Sequence, residues 1–321
     1  MLTSIICQKV IRSFICFMIV MLSAMPLFGC QVNQRYTGPI IDVHMHAFAW
    51  NRYGSPPPRN PVSRQLPSAQ SDAEVIDQTL AIMAELNITK AIISGPLDDV
   101  RRWQEQGGGS FLGGLYYHPR NPLPELDVVI AAHQNKTLSV FGELGLAYGG
   151  LYPHDPSLSP YFAYAQEMQI PVGIHMALGE PNLAITWAPE FRVDQVNPLV
   201  IEQLVLAYPE LKIYLMHAGW PFLDNTKAIM CMFDHIYADL SVINWLLPEA
   251  EFQAYLLALM NTAGGECDLS KRLMYGSDQM IWPDAIRLSI ENIQNASFLS
   301  HQQKADIFFN NAVTFFGLVT D

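Results

Sequence analysis

Basic residues are scarce in this chain. Its 321 residues include 18 lysines and arginines against 30 aspartates and glutamates, a formal net charge of −12 at pH 7. That balance argues against a nucleic-acid-binding protein. Cysteines are also few: there are 5, and Cys7, Cys16 and Cys30 all fall in the first thirty residues. Cys231 and Cys267 remain, either as one disulfide in an oxidising compartment or as two buried thiols. No apolar run of membrane-spanning length follows the first thirty residues. Gly107-Gly108-Gly109 lacks a following Lys-Ser/Thr and reads as a turn, not a phosphate loop. No linker or shift of composition marks a second domain.

The N-terminus has its own pattern. Lys9 and Arg12 precede the apolar run Phe14 to Leu22, with no acidic residue before Cys30. This reads as a secretory signal rather than a spanning helix, the alternative being an N-terminal membrane anchor, and it ends in Leu27-Phe28-Gly29-Cys30. A small residue before a cysteine at the cleavage point resembles the bacterial lipoprotein signal. The expectation is a signal over residues 1–29, a lipidated Cys30, a tether over 30–37 and one domain over 38–321. The protein would be exported to the cell envelope and held on the periplasmic side of a membrane by that lipid alone. Half of the composition is apolar and 11% is aromatic, enough for one large folded core.

From residue 38 on, short apolar runs alternate with helical patterns. Strands are expected at Ile40–His46, Ala91–Ser94, Leu112–Tyr117, Ser139–Leu144, Pro171–His175, Lys212–His217, Ile236–Ser241 and Leu273–Gly276. They lack strict alternation, as strands buried on both faces do. Helices lie between them, the first opened by Ser71 and Glu74 as a capping box. Two helices, Pro283–Asn295 and Gln302–Phe316, close the chain. Eight such units in this length point to a (β/α)8 TIM barrel of the α/β class, and the count disfavours an open doubly wound sheet.

Chemistry in such a barrel sits at the C-terminal strand ends. Here those ends carry His44-Met45-His46, Glu143, His175, His217 and Asp278. His44 and His46 alternate onto one face of their strand. Imidazoles and carboxylates together suit zinc or a similar divalent ion. Each residue alone has a bland structural use; their joint placement favours a metal site. Trp50, Arg52, His118, His154, Trp187, Arg192, Trp220 and Trp282 lie in loops leaving strand ends. His118, Arg192 and Trp220 are the candidate pocket residues, and an aromatic wall with an arginine suits a cyclic or carboxylate-bearing small molecule.

These residues resemble the amidohydrolase superfamily, within it the amidohydrolase-related group that includes aminocarboxymuconate-semialdehyde decarboxylase and several lactonases. The likeness runs over about residues 38 to 318. It is carried by His44-Met45-His46, His175, Ile213-Tyr214-Leu215-Met216-His217-Ala218-Gly219, Ala238-Asp239-Leu240-Ser241, Met274-Tyr275-Gly276-Ser277-Asp278 and Asn310-Asn311-Ala312. The resemblance implies that His44, His46, His175 and Asp278 hold one ion, with Asp278 as the proton-transferring base. His217 is then a second-site ligand or a catalytic group on the substrate oxygen. Glu143 stands where a bridging glutamate would come, leaving one ion or two, with a lean to one. Asp42, Asp239 and Ser277 are candidates for orienting the histidines. The expected activity is metal-dependent hydrolysis of an ester, lactone or amide of a small molecule. A non-oxidative decarboxylase is the runner-up, and a surface-anchored binding protein the third reading. Nothing in the sequence excludes a homo-oligomer.

Overall fold

A computed structural model describes residues 35–262 and 267–319. The expected signal, Cys30 and the tether up to residue 34 lie outside the described residues.

Eight parallel strands pair in sequence order. They are β1 (Ile40–His46), β2 (Ile88–Gly95), β3 (Phe111–Tyr117), β4 (Val140–Leu144), β5 (Val172–His175), β6 (Ile213–Met216), β7 (Tyr237–Asp239) and β8 (Leu273–Met274). Two backbone bonds bring the β8 end to β1: Val43 N donates to Tyr275 O (3.0 Å) and Asp278 N to His44 O (2.6 Å). The barrel is thus nearly closed. Its helices are α1 (Asp72–Glu85), α2 (Leu97–Gly107), α3 (Leu126–Gln134), α4 (Ser159–Glu167), α5 (Leu183–Thr186), α6 (Ile201–Ala207), α7 (Leu223–Met232), α8 (Ile243–Leu246), α9 (Glu249–Met260), α10 (Asp284–Gln294), α11 (His301–Ala305) and α12 (Asn311–Phe316). Among the described residues, no helix is long and apolar enough to cross a membrane.

Three local expectations need correction. Ser71 Oγ accepts from Glu74 N, but the Glu74 carboxylate accepts from Gln70 N, so the box closes one residue early. The last helix is not continuous: a π turn, Asp306–Asn310, separates α11 from α12. It lets Ile307 O accept from Tyr275 N, tying the C-terminal helix to the barrel. Two short helices not expected from the sequence, α5 and α8, lie in the connections after β5 and β7.

Two register irregularities aim the site. Asp42 pairs with Ala91 and Met45 with Ile93, so β1 carries one extra residue against β2. β4 does the same against both neighbours, between Phe141 and Leu144. Such bulges redirect side chains and recur beside active sites. Their effect appears in the core. Ile41 and Val43 pack with Ile92, Val140, Tyr214, Met216 and Met274, a cluster drawn from five strands and therefore inside the barrel. Ala312 and Phe315 of α12 close it. Met45 packs in the other cluster, with Val75 and Ile76 of α1. After the β1 bulge, His44 and His46 occupy the interior above this apolar floor, and after the β4 bulge Glu143 does.

Cys231, in α7, and Cys267, before β8, form a disulfide. It closes a loop of sequence separation 36, so Cys231→Ser is expected to lower unfolding free energy by about 2–4 kcal/mol. Denaturant titration of oxidised wild type against the variant checks this.

Candidate metal centre

His44 and His46 leave the end of β1, Glu143 comes from β4 and His175 ends β5. His217 follows β6, and Asp278 lies beyond β8. The structure brings all six together, and all are buried. His217 (φ 61°) and Asp278 (φ 50°) have left-handed backbones that ordinary residues enter at a cost of about 1 kcal/mol or more. Hydrogen bonds hold both: His217 N donates to Asp239 Oδ1 (2.9 Å), and Asp278 N to His44 O.

Each imidazole has one nitrogen held by the protein and the other turned inward. His44 Nδ1 lies 3.1 Å from Asp239 Oδ2 and 2.8 Å from Ser241 Oγ. His46 Nδ1 is held by Ser94, 3.1 Å from Oγ and 3.3 Å from the carbonyl. His217 Nδ1 meets Ser241 Oγ at 3.0 Å and its carbonyl at 3.2 Å. His175 is reversed: Nε2 sits 3.0 Å from both Tyr148 OH and Ala177 O. Its inward atom is therefore Nδ1.

The inward atoms crowd around Glu143. His175 Nδ1 is 2.7 Å from Glu143 Oε1, and His217 Nε2 is 3.4 Å from the same oxygen. The other oxygen, Oε2, lies 3.3 Å from His46 Nε2 and 3.9 Å from His44 Nε2. Asp278 Oδ1 is 2.9 Å from His46 Nε2 and 4.0 Å from His44 Nε2. Three triads, His44/His46/Glu143, His44/His217/Asp278 and Glu143/His175/His217, each keep their ligand atoms within 4.8 Å of one another. His44 Nε2 and Asp278 Oδ1 are buried with no hydrogen-bond partner. Buried polar atoms are seldom left so, and a divalent cation is the partner this donor set fits.

Charge in the centre follows from burial opposed by close partners. Burial alone would raise Glu143, but the nearby imidazoles of His175, His217 and His44 outweigh it and hold the carboxyl well below its usual range. Asp278 is likewise lowered, the imidazoles of His44, His46 and His217 overcoming burial. Burial would lower His44, yet Asp278 and Asp239 raise it well above the ordinary histidine value. His217 is raised too, chiefly by its bond to Glu143 against burial, whereas burial and the His217 charge lower His175. A metal must displace the protons that His44 and His217 retain. Affinity is therefore expected to rise with pH through their raised titrations and to fall on acidification, as zinc titration at several pH values would show.

Asp239 and Ser241, at the end of β7, bind two ligand histidines and each other: Ser241 Oγ donates to Asp239 Oδ1 at 2.6 Å. Asp239→Asn is expected to weaken metal affinity about 10- to 100-fold, read by competition with a chromophoric chelator. Asp42 has another job. Its Oδ1 accepts from His44 N and Ser277 N, both at 3.0 Å, joining β1 to the β8 end. Burial pushes its carboxyl up to about 7.

Above the cluster opens a cavity of about 1000 Å³, with His46, Glu143, His175, His217 and Asp278 among its lining residues. His118 and Trp220 line it. Arg192 does not and is corrected. It is exposed, and its guanidinium donates to the Pro189 and Phe191 carbonyls, both at 2.7 Å, capping its own loop. The cavity's arginines are Arg52 and Arg120. Trp50, His154 and Trp282 also stay out of the wall, while Phe48, Tyr53, Tyr116, Tyr148 and Trp187 form much of it.

Comparison with known proteins places the fold and cluster in a family. The family profile described as Amidohydrolase matches residues 41–318. The chain belongs to the amidohydrolase family. An uncharacterized TIM-barrel protein of Bordetella bronchiseptica superposes with a TM-score of 0.62 at 15% identity, covering 87% of this chain and 98% of that one. The 5-carboxyvanillate decarboxylase of Novosphingobium aromaticivorans, complexed with manganese and a nitrobenzoic acid derivative, gives 0.56 at 14% identity over 90% and 97%. A probable 2-pyrone-4,6-dicarboxylic acid hydrolase of Acinetobacter baumannii, with citric acid bound, gives 0.56 at 13% identity over 87% and 99%. A sequence relative, protein fluG of Emericella nidulans, is 21% identical over 157 residues, 44% of this chain but only 17% of that protein. The chain therefore shares its barrel fold with a probable hydrolase and with a decarboxylase.

Proposed function

We propose that this amidohydrolase is a metal-dependent hydrolase of a small ester, lactone or amide. One arrangement carries the reading: four buried imidazoles, each pinned through one nitrogen, converge with Glu143 and Asp278 on the floor of an accessible cavity. His44, His46 and Asp278 would hold an ion with Glu143 Oε2, and Glu143 Oε1 with His175 and His217 offers a second triad. Glu143 belongs to both sets, so the residues present would hold two ions, zinc being the one this donor set suits best. A divalent ion supplies Lewis acidity there, polarising a carbonyl and making hydroxide available near neutral pH.

The chain's own residues do the rest. Asp278 is kept ionised by its imidazole neighbours, so a base stands ready at neutral pH. It takes the proton from the attacking water and returns it to the leaving group. Its left-handed backbone, bonded to His44 O, keeps that carboxylate over His46. Asp239, Ser241, Ser94 and Tyr148 hold the imidazoles in one orientation each, so little reorganisation is needed during turnover. Aromatic walls exclude bulk water and present flat apolar faces to a ring.

The disulfide supports a site of action outside the cytoplasm, where such bonds persist. Product analysis tests the reaction. Lactones, esters and carboxylated aromatics are incubated with metal-loaded protein; hydrolysis products are expected. Carbon dioxide release from an aromatic acid without any hydrolysis would overturn the reading.

A further inference from the structure

Four of the described arginines have acidic partners, while Arg59 and Arg192 donate to backbone carbonyls. Arg35 pairs with Glu291, Arg101 with Asp98, Arg102 with Asp72 and Asp99, and Arg287 with Glu85. Arg52 and Arg120, in the cavity wall, have no carboxylate at ion-pair distance among the described residues. With 30 acidic residues against 18 basic ones, partners are not in short supply. These two guanidinium groups lie instead on aromatic faces. Arg52 is 4.3 Å from the Phe48 ring centroid and 5.7 Å from that of Tyr116, and Arg120 is 5.5 Å from that of Trp187. Stacking fixes a guanidinium plane while leaving its edge N–H donors available for a planar anion.

His118 stands beside both. Its Nδ1 accepts from Arg120 N at 3.2 Å, which leaves the ring proton on Nε2. The ring stacks against Trp187 (centroids 5.2 Å) and Tyr116 (6.2 Å). Burial and then the Arg52 charge push His118 down to about 4, so it remains a neutral donor at working pH. The other polar region of the cavity carries the carboxylates of Glu143 and Asp278, and Glu180 also lines the wall, accepting from Trp187 Nε1. In the metal-free protein an anionic group on a ligand is repelled by Glu143 and Asp278 and attracted to the arginines.

We propose that Arg52, His118 and Arg120 form an anion subsite, which binds a carboxylate on a flat cyclic substrate away from the bond cleaved at the histidine cluster. The substrate class rests on the hydrolase reading; the subsite does not. It also replaces Arg192 as the anionic anchor.

The probe is isophthalate, a flat ring with two carboxylates, against its neutral diamide, isophthalamide. Calorimetry follows both on metal-free and zinc-loaded protein. Wild type is expected to bind isophthalate in both states. Arg52→Met/Arg120→Met should weaken isophthalate about 10- to 100-fold and leave isophthalamide unchanged. Arg52→Lys should recover part of the loss. Circular dichroism and zinc titration establish that each variant folds and keeps its metal site. If the double variant does not fold, Arg120→Met, at an exposed position, carries the test alone. Three results would overturn the subsite: no isophthalate binding to wild type at millimolar concentration, unchanged affinity in folded variants, or binding that needs zinc and ignores the arginines. A protein that takes up no zinc but still loses isophthalate with the arginines would support the subsite while removing the metal reading.

Discussion

Asp278→Asn is expected to lower kcat about 10²- to 10⁴-fold, with a smaller change in KM. The asparagine keeps the size and an oxygen near His46 but cannot accept a proton from water. Asp278 is a buried carboxylate whose Oδ1 lies 2.9 Å from His46 Nε2 and 4.0 Å from His44 Nε2. A group with only a packing role would cost stability and leave the turnover of the folded protein alone. Loss of the base instead lowers kcat/KM by about the same factor across pH 5 to 9, because the imidazoles hold Asp278 below the usual carboxylate range and ionised throughout that window. Steady-state kinetics from pH 5 to 9, at matched metal content, separates these outcomes.

Glu143→Gln is expected to reduce bound metal from about two ions per chain to about one and to cut turnover about 10²-fold or more. The reason is that its two oxygens serve different imidazole pairs, Oε1 facing His175 and His217 and Oε2 facing His44 and His46. The substitution also removes the charge facing the inward nitrogens of His175 and His217, which lie 2.9 Å apart. If Glu143 were a bystander to a single ion, stoichiometry would be the same in both proteins. Elemental analysis after exhaustive dialysis decides it.

The barrel and the residues at its mouth could be read because both depend on local signals. Short apolar runs with turn residues between them mark buried strands, and polar groups at their ends stand out against that background. His44, His46, His175, His217 and Asp278 were therefore visible one strand at a time. What brings them to one point was not. The bulges in β1 and β4 are defined by pairing with neighbouring strands, and alternation alone would have placed Asp42 on the same face as His44 and His46. Loop side chains were harder still. Arg192 and Arg52 look alike in sequence, both in long loops after strand ends. One spends its guanidinium on its own loop's carbonyls, while the other lies on Phe48 inside the cavity. That choice depends on how the loop folds back, which has no local sequence signal. Tyr148 escaped for the same reason: it follows β4 by only four residues but acts on His175 of β5. Ser94 and Ser241 hold histidines through hydroxyl and carbonyl together. A serine at a strand end is too common to be read that way in advance.

The central claim is that the buried cluster is a working metal centre. Its most direct test is the metal content of the purified described domain, followed by chelation and titration back with zinc and manganese, for wild type and for His44→Ala/His46→Ala. The expected result is about two divalent ions per chain, activity lost on chelation and restored in step with metal, and weaker binding in the double variant. Wild-type protein that takes up neither metal, or a double variant that binds as wild type does, would contradict it.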